Sequence, residues 1–511
     1  MAILEELGPA AGGGRRFALK SPATKQPVGE FETATADDVH QAVARARAAQ
    51  PAWAALSFKE RARYLQRVLD LLIENPDRVV ETVCSETGKS PVEAMMIEVI
   101  ASCDALAFWS RRAAKILADR KRRMHLLGPM KKLKIVYRPL GVVGIITPWN
   151  GPFVLSLNPT AQALMAGNTV VLKPSEVTPF SGKLVGDLFA EAGLPAGVLE
   201  VVLGDGQTGA ALVEADVDKI SFTGSVATGR KIGEVCGRRL IPCTLELGGK
   251  DPFIVCADAD LDRAAAGAVF GACLNSGQVC MSVERVYVVE QVADAFIDKV
   301  VEQVKSLRQT DEGISEVGPI FWPPQLEVIE RHLADARAKG ARILCGGKRN
   351  DRLRGLYFEP TVLTDVNHDM AIMREETFGP VIPIMRVASE EDAVRLANDT
   401  SYGLTASVWT RDLRKGQRLA RRIEAGSVCI NDAGVTYGAL EAPFGGVRNS
   451  GVGRVNGEEG LRGYCYAQPV ITQRFGGKKE QSWYPHTEEN VEKLRKAVRF
   501  LWGGPLRWLF S

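Results

Sequence analysis

Four short runs rich in β-branched residues decide the fold: VVGII at 142–146, TVVLK at 169–173, VLEVVL at 198–203 and KISF at 219–222. Stretches rich in alanine and leucine separate these runs. Strands that alternate with helical stretches are typical of a parallel sheet covered by helices. The sequence therefore predicts an α/β domain whose sheet begins near residue 140.

Segments on both sides of these runs extend the prediction. Residues 35–122 show helical spacing of apolar residues, and Ser57 with Glu60 forms a capping box. Two outlying runs at 132–138 and 469–474 predict strands that pair as a small β extension suited to oligomerisation. A second α/β domain is predicted by five further runs: PFIVC at 252–256, RVYVV at 285–289, ARILC at 341–345, VIPIM at 381–385 and SVCIN at 427–431.

Composition excludes several classes of protein. The chain has 511 residues, enough for several domains with full hydrophobic cores. Charged residues make up 24% and the formal net charge is only +3, so nucleic-acid binding is disfavoured. The sequence has no apolar run of about 18 residues and no basic start followed by an apolar stretch. We therefore expect neither a membrane span nor a secretory signal, and a cytoplasmic location.

The cysteines and histidines do not form a metal-binding pattern. The ten cysteines include no C-x-x-C pair, and the five histidines have no metal-ligand spacing. We therefore expect no metal site and no disulfide framework.

Two glycine-rich segments are candidates for binding a pyrophosphate. Residues 204–209, GDGQTG, match G-x-G-x-x-G after a strand, but no carboxylate follows at the distance that a ribose contact needs. We favour a tight strand-to-helix turn there and keep the pyrophosphate cradle as an alternative. Residues 224–229, GSVATG, follow a strand and lead into a helix whose N-terminus can face an anion, which makes them the better cradle.

A cysteine, a glutamate and an asparagine stand in unusual surroundings. Cys280 ends the segment NSGQVC, which is typical of a turn that presents a thiol rather than of an apolar core. Glu246 lies in LELGGK, and Asn150 ends PWN after a strand. Each signal is weak alone, but together they favour a catalytic site.

These motifs closely resemble those of the aldehyde dehydrogenase superfamily, NAD(P)-dependent enzymes that oxidise aldehydes to carboxylic acids. The resemblance, to the hydrolytic type, covers roughly residues 20–474 in the family's motif order. The motifs are PWN at 148–150, LKPSEVTP at 172–179, FTGS at 222–225, LELGGK at 245–250, GQVC at 277–280, EETFGP at 375–380 and PFGG at 443–446.

The resemblance implies a domain organisation. A Rossmann-like NAD-binding domain is expected at 1–121 and 139–247, and a catalytic domain at 248–448. Oligomerisation strands are expected at 122–138 and 463–474, in a homodimer or homotetramer. An amphipathic C-terminal extension at 475–511 completes the prediction.

The resemblance also implies catalytic roles. Cys280 is the expected nucleophile, because a thiolate can attack an aldehyde carbonyl. The side-chain amide of Asn150 and the backbone N–H of Cys280 are expected to stabilise the oxyanion. Glu246 is expected to act as the base that activates water to cleave the thioester.

Cofactor residues carry over in the same way. The resemblance places Lys173 and Glu176 at the adenosine ribose and Ser225 at the pyrophosphate. Glu376 and Phe378 are expected at the nicotinamide ribose and ring. Because a 2′-phosphate would meet the Glu176 carboxylate, NAD is expected, with NADP as the alternative cofactor. The full expected cofactor set is Trp149, Lys173, Glu176, Thr223, Gly224, Ser225, Leu247, Glu376 and Phe378.

The residues expected around the substrate are apolar and offer no Arg or Lys to a substrate carboxylate. An uncharged medium- or long-chain aliphatic or aromatic aldehyde is therefore the expected substrate. Loop 432–440 is expected to contribute to the same pocket. A CoA-acylating enzyme and a nonenzymatic structural protein remain alternatives, which the intact Glu246 and Cys280 respectively disfavour. The expected pocket residues are Gly151, Val154, Leu155, Val279, Met281 and Phe444.

The C-terminal extension predicts a basic amphipathic helix capped by Thr487, with Glu488 and Glu489 in its first turn. An aromatic end that includes Trp508 and Phe510 follows. Two interpretations are kept: the helix packs on its own or a neighbouring subunit, or residues 487–511 make a peripheral membrane contact. The apolar stripe is Val491, Leu494, Val498 and Leu501, flanked by Lys493, Arg495, Lys496 and Arg499.

Overall fold

The computed structural model describes residues 3–10, 12–127, 130–311, 313–476, 479–480 and 483–504. The chain divides into two compact units. One contains Met1–Ile116 and Pro139–Tyr464, and the other contains Leu117–Arg138 and Cys465–Ser511. The predicted aromatic end with Trp508 and Phe510 lies outside the described residues.

Strands and helices alternate through most of the first unit. The strands are β1 (Leu4–Pro9), β2 (Arg15–Lys20), β3 (Pro27–Glu32), β4 (Arg120–Arg122), β5 (Lys131–Pro139), β6 (Val142–Ile146), β7 (Thr169–Lys173), β8 (Leu199–Val201), β9 (Lys219–Thr223), β10 (Cys243–Glu246), β11 (Asp251–Val255), β12 (Val283–Val289), β13 (Arg342–Cys345), β14 (Thr361–Thr364), β15 (Val381–Val387), β16 (Thr405–Trp409), β17 (Ser427–Ile430), β18 (Gly451–Val452) and β19 (Cys465–Gln473).

The helices follow the same chain order. They are α1 (Ala36–Ala55), α2 (Phe58–Glu74), α3 (Asp77–Thr87), α4 (Pro91–Glu93), α5 (Ala101–Ile116), α6 (Val154–Met165), α7 (Pro179–Glu191), α8 (Gly206–Glu214), α9 (Val226–Arg239), α10 (Leu261–Cys273), α11 (Glu290–Ser306), α12 (Pro323–Ala338), α13 (Ala371–Arg374), α14 (Glu390–Asn398), α15 (Leu413–Ala420), α16 (Gly457–Arg462) and α17 (Glu488–Trp502). A π-helical segment, Ala94–Ile100, joins α4 to α5.

The described strands of the first unit form three sheets, and the predicted α/β fold is confirmed. One sheet has the order β1-β2-β3, a six-stranded sheet has the order β18-β10-β9-β6-β7-β8, and a seven-stranded sheet has the order β13-β14-β15-β12-β11-β16-β17. Strands β6, β7, β8, β9 and β10 are parallel, with β18 antiparallel at the edge. Every residue of β6 and β7 is buried, which explains why these strands are continuous apolar runs rather than alternating ones.

Parallel pairing brings the ends of several strands to one edge of the six-stranded sheet. Ile146 at the end of β6 pairs with Lys173 at the end of β7 and with Phe222 of β9. Glu246 at the end of β10 pairs with Thr223 at the end of β9. In open α/β sheets, ligands bind outside these carboxyl ends, so this edge is the expected position of a site.

The structure refines several predicted elements. The capping box at α2 is confirmed, because Ser57 Oγ accepts the Glu60 N–H at 3.3 Å and Glu60 Oε2 accepts the Ser57 N–H at 2.7 Å. The helical prediction for 35–122 is wrong at its end, where Arg120–Arg122 extend to pair with β5. Strands β10, β14 and β16 were not predicted, because they are short and carry threonines within their apolar sequence.

The second unit contains a three-stranded sheet in the order β19-β5-β4. The predicted pairing of the segments 132–138 and 469–474 is therefore confirmed, whereas their role in oligomerisation stays a prediction. Thr487 caps α17 as predicted, because its Oγ1 accepts the Asn490 N–H at 3.3 Å. No residue of α17 is buried. Within the ranges that the structure describes, no helix is long and apolar enough to cross a membrane.

Candidate active site

A cavity of about 300 Å³ opens beyond the ends of β9 and β10, and we call it the Cys280 cavity. The three predicted catalytic residues, Asn150, Glu246 and Cys280, all line it. The six predicted pocket residues line it as well: Gly151, Val154, Leu155, Val279, Met281 and Phe444. The structure thus brings together residues that are up to about 300 positions apart in the sequence.

The loop before Cys280 is a tight turn. Asn275, Ser276 and Gly277 all have positive φ angles, of 54°, 58° and 72°. A Cβ atom on Gly277 would lie 2.1 Å from the carbonyl oxygen of Gly379, so only glycine can occupy this position without displacing the backbone. The turn ends just before Cys280 and brings its side chain to the cavity wall.

Asn150 links the end of β6 to the Cys280 loop. Its Nδ2 donates to the Gln278 carbonyl oxygen at 2.9 Å. Its own carbonyl oxygen accepts Asn275 Nδ2 at 2.9 Å and Lys89 Nζ at 3.1 Å. An amide carries two N–H donors, so the bond to Gln278 uses one of them.

Three charged residues that the sequence analysis missed support this arrangement. Lys89 and Glu98 form a fully buried ion pair, with Nζ to Oε1 at 2.6 Å. Glu98 Oε2 also accepts the N–H of Phe153 at 3.1 Å and of Val154 at 2.9 Å, at the start of α6. Glu93 Oε1 accepts the Asn275 N–H at 2.7 Å. The one available signal was a glutamate inside the apolar run MMIEVI at 95–100.

Burial dominates the electrostatics of Glu246 and Cys280. Neither carboxyl oxygen of Glu246 has a hydrogen-bond partner among the described residues. Burial raises the pKa of Glu246 well above its ordinary value, and the charge of Arg454 only partly opposes this. Burial, followed by the charge of Glu246, also raises the pKa of the Cys280 thiol. Both groups are therefore protonated in this arrangement, and each can lose its proton only at the other's expense.

A second cavity, of about 570 Å³, lies at the same sheet edge, and we call it the Lys173 cavity. Lys173 Nζ and Glu176 Oε2 are 3.3 Å apart in its wall, and burial lowers the pKa of Lys173. Thr223 lines both cavities. The predicted cofactor residues that line the Lys173 cavity are Trp149, Lys173, Glu176, Thr223, Gly224 and Ser225.

Both glycine-rich segments face the Lys173 cavity. Ser225 caps α9, with its Oγ accepting the Thr228 N–H at 3.3 Å. Asp205 caps α8, and Gly204 forms a tight turn in which a Cβ atom would lie 2.1 Å from Thr208 Oγ1. The turn predicted at 204–209 is therefore present, and two helix N-termini border one cavity. Which of them contacts a pyrophosphate stays a prediction.

Three predicted cofactor residues do not line the Lys173 cavity. Leu247 belongs to the apolar cluster beneath α9. Glu376 Oε1 accepts the Gly249 N–H at 2.9 Å, and burial raises its pKa to about 8. The Phe378 ring packs edge-on against Trp149, with centroids 5.4 Å apart. Their contacts with a cofactor stay predictions.

Further residues complete the Cys280 cavity. The loop expected at 432–440 contributes Gly434, Val435, Tyr437 and Gly438. The π-helical segment contributes Met96 and Ile97, which the sequence analysis did not assign to the pocket. The cavity wall in the described part of the chain contains no Lys, Arg or His, and Glu246 is its one carboxylate.

Known proteins share this sequence and fold. A sequence model of the Aldehyde dehydrogenase family matches residues 10–470. A protein of Methylomonas sp. named 4,4'-diapolycopene aldehyde oxidase is 40% identical over 95% of this chain and 91% of its own. A protein of Mycolicibacterium smegmatis with the provisional name succinate-semialdehyde dehydrogenase [NADP(+)] is 42% identical over 88% of this chain and 86% of its own.

A solved structure agrees with these relatives. The crystal structure of Mycobacterium tuberculosis aldehyde dehydrogenase complexed with NAD+ superposes with a TM-score of 0.85 at 37% identity, over 89% of this chain and 94% of that one. The chain therefore belongs to the aldehyde dehydrogenase family, a family of oxidoreductases that act on aldehydes. The predictions of this family and of an NAD-binding fold are confirmed.

Proposed function

We propose that this protein oxidises an uncharged, apolar aldehyde to the carboxylic acid with NAD, using water as the final acceptor. The substrate is a medium- or long-chain aliphatic or an aromatic aldehyde. The single observation that carries the proposal is the meeting of Cys280, Glu246 and Asn150 in one apolar cavity. Thr223 joins that cavity to the Lys173 cavity, which has the donors for a nucleotide.

The chemistry of the Lys173 cavity suits a dinucleotide. Lys173 supplies a buried cation, Glu176 supplies an acceptor for ribose hydroxyls, and the N-termini of α8 and α9 supply backbone donors for phosphates. When bound, the nicotinamide cofactor accepts the hydride from the substrate. Because Trp149 lies in this wall one residue before Asn150, the same loop borders both cavities.

The first step is the attack of the Cys280 sulfur on the aldehyde carbonyl. A C–S bond forms and the carbonyl electrons move to oxygen, while the thiol proton leaves. Glu246 is the carboxyl that lines the same cavity and can take this proton. The second N–H of the Asn150 amide and the Cys280 backbone N–H stabilise the oxyanion.

The second step cleaves the thioester that remains on Cys280. Glu246 accepts a proton from water, the oxygen of that water adds to the thioester carbonyl, and the C–S bond breaks. The raised pKa of Glu246 makes it a stronger base than an exposed carboxylate. Retention of this base supports water rather than CoA as the acceptor, and the intact set of three residues supports an enzyme rather than a structural protein.

The two steps can be separated by substitution. We expect Cys280→Ala to abolish NADH formation, because no thiohemiacetal forms. Glu246→Gln should release about one NADH per active site in a rapid burst and then turn over slowly, because acylation needs the base less than deacylation does. Stopped-flow absorbance of NADH measures both phases. Loss of the burst in Glu246→Gln would assign Glu246 to a step before hydride transfer.

The substrate cavity predicts discrimination by charge. No Lys, Arg or His lines the described wall, so the carboxylate of a semialdehyde acid would be buried without a partner, near Glu246. We expect kcat/KM for hexanal to exceed that for succinic semialdehyde by at least about tenfold, which needs only about 1.4 kcal/mol. Initial NADH rates over both aldehydes test this. Equal values would show that a cation outside the described wall reaches the substrate.

The Lys173 cavity predicts a preference for NAD. A 2′-phosphate near Glu176 would meet like charge, and a cost of about 1.4 kcal/mol already gives a tenfold ratio of kcat/KM. Glu176→Gln should narrow this ratio. The matched control Glu234→Gln, on the exposed side of α9, should leave it unchanged. Equal kcat/KM with both cofactors in the unaltered enzyme would remove the proposed role of Glu176.

We propose the domain and oligomer assignments alongside this function. Residues 1–121 and 139–247 form the NAD-binding domain and 248–448 the catalytic domain. Strands β5 and β19 are proposed to support a homodimer or homotetramer through the segments 122–138 and 463–474. The sheet that they form supports this assignment, since it is separate from the three sheets of the first unit.

We also propose that α17 makes a peripheral contact with an anionic lipid surface. Val491, Leu494 and Val498 lie on one face and are each about half exposed. From Lys493 to Trp502 the helix carries four basic and no acidic residues. Basic flanks beside an exposed apolar face are typical of helices that lie in a membrane interface.

Removing residues 487–511 tests the lipid contact. We expect the full chain, but not the truncated one, to sediment with vesicles of mixed phosphatidylcholine and phosphatidylglycerol, and less with phosphatidylcholine alone. A Lys496→Gln/Arg499→Gln variant should bind less while keeping its oligomeric state. If truncation instead changed the mass in light scattering and left sedimentation unaltered, α17 would be a subunit contact.

A further inference from the structure

Two cysteines outside the Cys280 cavity are brought together by the end of α9. Cys236 lies in its last turn, and Cys243 begins β10. The chain reverses at Leu240, which has a φ of 55°, and the Ile241 N–H returns to the Cys236 carbonyl oxygen at 3.1 Å. This is a Schellman motif, and it directs the following residues back along the helix.

The two side chains contact one another at this turn. The Cys236 thiol forms a hydrogen bond with the Cys243 sulfur. Cys236 is buried in the apolar cluster beneath α9, and Cys243 packs against the same cluster while remaining partly exposed. One thiol is therefore accessible from solvent, and the other lies directly behind it.

A buried lysine adds positive charge beside this pair. Lys219, at the start of β9, is almost completely buried, and its Nζ donates to Thr244 Oγ1 at 2.7 Å. No carboxylate in the described ranges forms an ion pair with it, although the Tyr464 ring lies 5.3 Å away. A buried ammonium without a counter-charge is costly, and a thiolate at Cys243 supplies one.

The charges of the three groups depend on one another. The hydrogen bond from Cys236, together with the charge of Lys219, lowers the pKa of Cys243 to about 7. Burial lowers the pKa of Lys219 to about 8. The hydrogen bond to Cys243 raises the pKa of Cys236, which keeps its proton. The outer sulfur therefore has thiolate character and the inner one is a thiol.

We propose that Cys236 and Cys243 form an oxidisable dithiol that reacts with hydroperoxides and is a site separate from Cys280. An accessible, electropositive thiolate with a second thiol behind it is the arrangement in which peroxide oxidation ends in a disulfide. Burial raises the pKa of Cys280, so its sulfur is the poorer nucleophile toward a peroxide in the ligand-free enzyme.

The reaction balances with the hydroperoxide as oxidant. The Cys243 thiolate attacks one peroxide oxygen, the O–O bond breaks, and a sulfenic acid forms as water or an alcohol leaves. The Cys236 sulfur then attacks the Cys243 sulfur, the S–O bond breaks, and a second water leaves with the Cys236 proton. Two thiols are oxidised by two electrons, and one peroxide is reduced.

Mass spectrometry of the full-length enzyme tests the site directly. Arg238 and Arg239 lie between the two cysteines, so trypsin separates peptide 232–238 from peptide 240–250 unless a disulfide joins them. After one equivalent of hydrogen peroxide per subunit, we expect the joined peptides, a mass lower by two hydrogens, and eight reactive thiols instead of ten in denaturant. Dithiothreitol should reverse all three changes.

Variants separate this pair from the other thiols. Cys243→Ser and Cys236→Ala should each abolish the joined peptides. The control Cys84→Ser, which removes a partly buried thiol in α3, should leave them unchanged. The unaltered enzyme alone is decisive if a variant fails to fold. A Cys280 sulfenic or sulfinic acid as the first product, with no joined peptides, would overturn the proposal.

Activity supplies a second measurement, which rests on the proposed role of Cys280. Because each dithiol consumes one peroxide, the dose that halves NADH formation should fall by about one equivalent per subunit in Cys243→Ser. An unchanged dose with joined peptides present would show that the pair is oxidised without sparing Cys280. An unchanged dose without them would overturn the dithiol itself.

Discussion

Parallel pairing of β9 with β10 is the constraint on which the rest of the site depends. The register that sets Glu246 opposite Thr223 puts a carboxyl and a hydroxyl at the same edge, where β6 and β7 also end. Backbone hydrogen bonds fix this edge, so the loops that leave it start from known positions. Asn150 reaches the Cys280 loop from there, and a slip of β10 by one residue would turn Glu246 to the opposite face.

Burial of charge is the second recurring theme. Lys89 and Glu98 lose their hydration but regain partners, since Glu98 also receives two backbone N–H donors at the start of α6. Removing one member of such a pair typically costs about 3–5 kcal/mol, because the other is left charged and unpaired. Glu246 is the opposite case, a buried carboxyl without a hydrogen-bond partner in the described chain. Unsatisfied polar groups of this kind are tolerated where chemistry needs them.

The sequence predicts the central strands well and the supporting network poorly. VVGII and TVVLK match β6 and β7 residue for residue, because strands buried on both faces must be apolar throughout. TVLT at 361–364 becomes β14 only through its neighbours β13 and β15, which no local pattern reveals. Cys280 and Glu246 stand out by their flanking glycines. Lys89 resembles any surface lysine until the fold brings Glu98 and Asn150 to it.

Thr223 is the one predicted cofactor residue that lines both cavities, which makes it part of a shared wall. A ligand that presses on this wall from one side alters the space available on the other. Thermodynamic linkage then requires the influence to be mutual: whatever factor the first ligand imposes on the affinity of the second, the second imposes on the first. A side chain in this position therefore sets a coupling free energy between two binding equilibria, as well as the shape of each site.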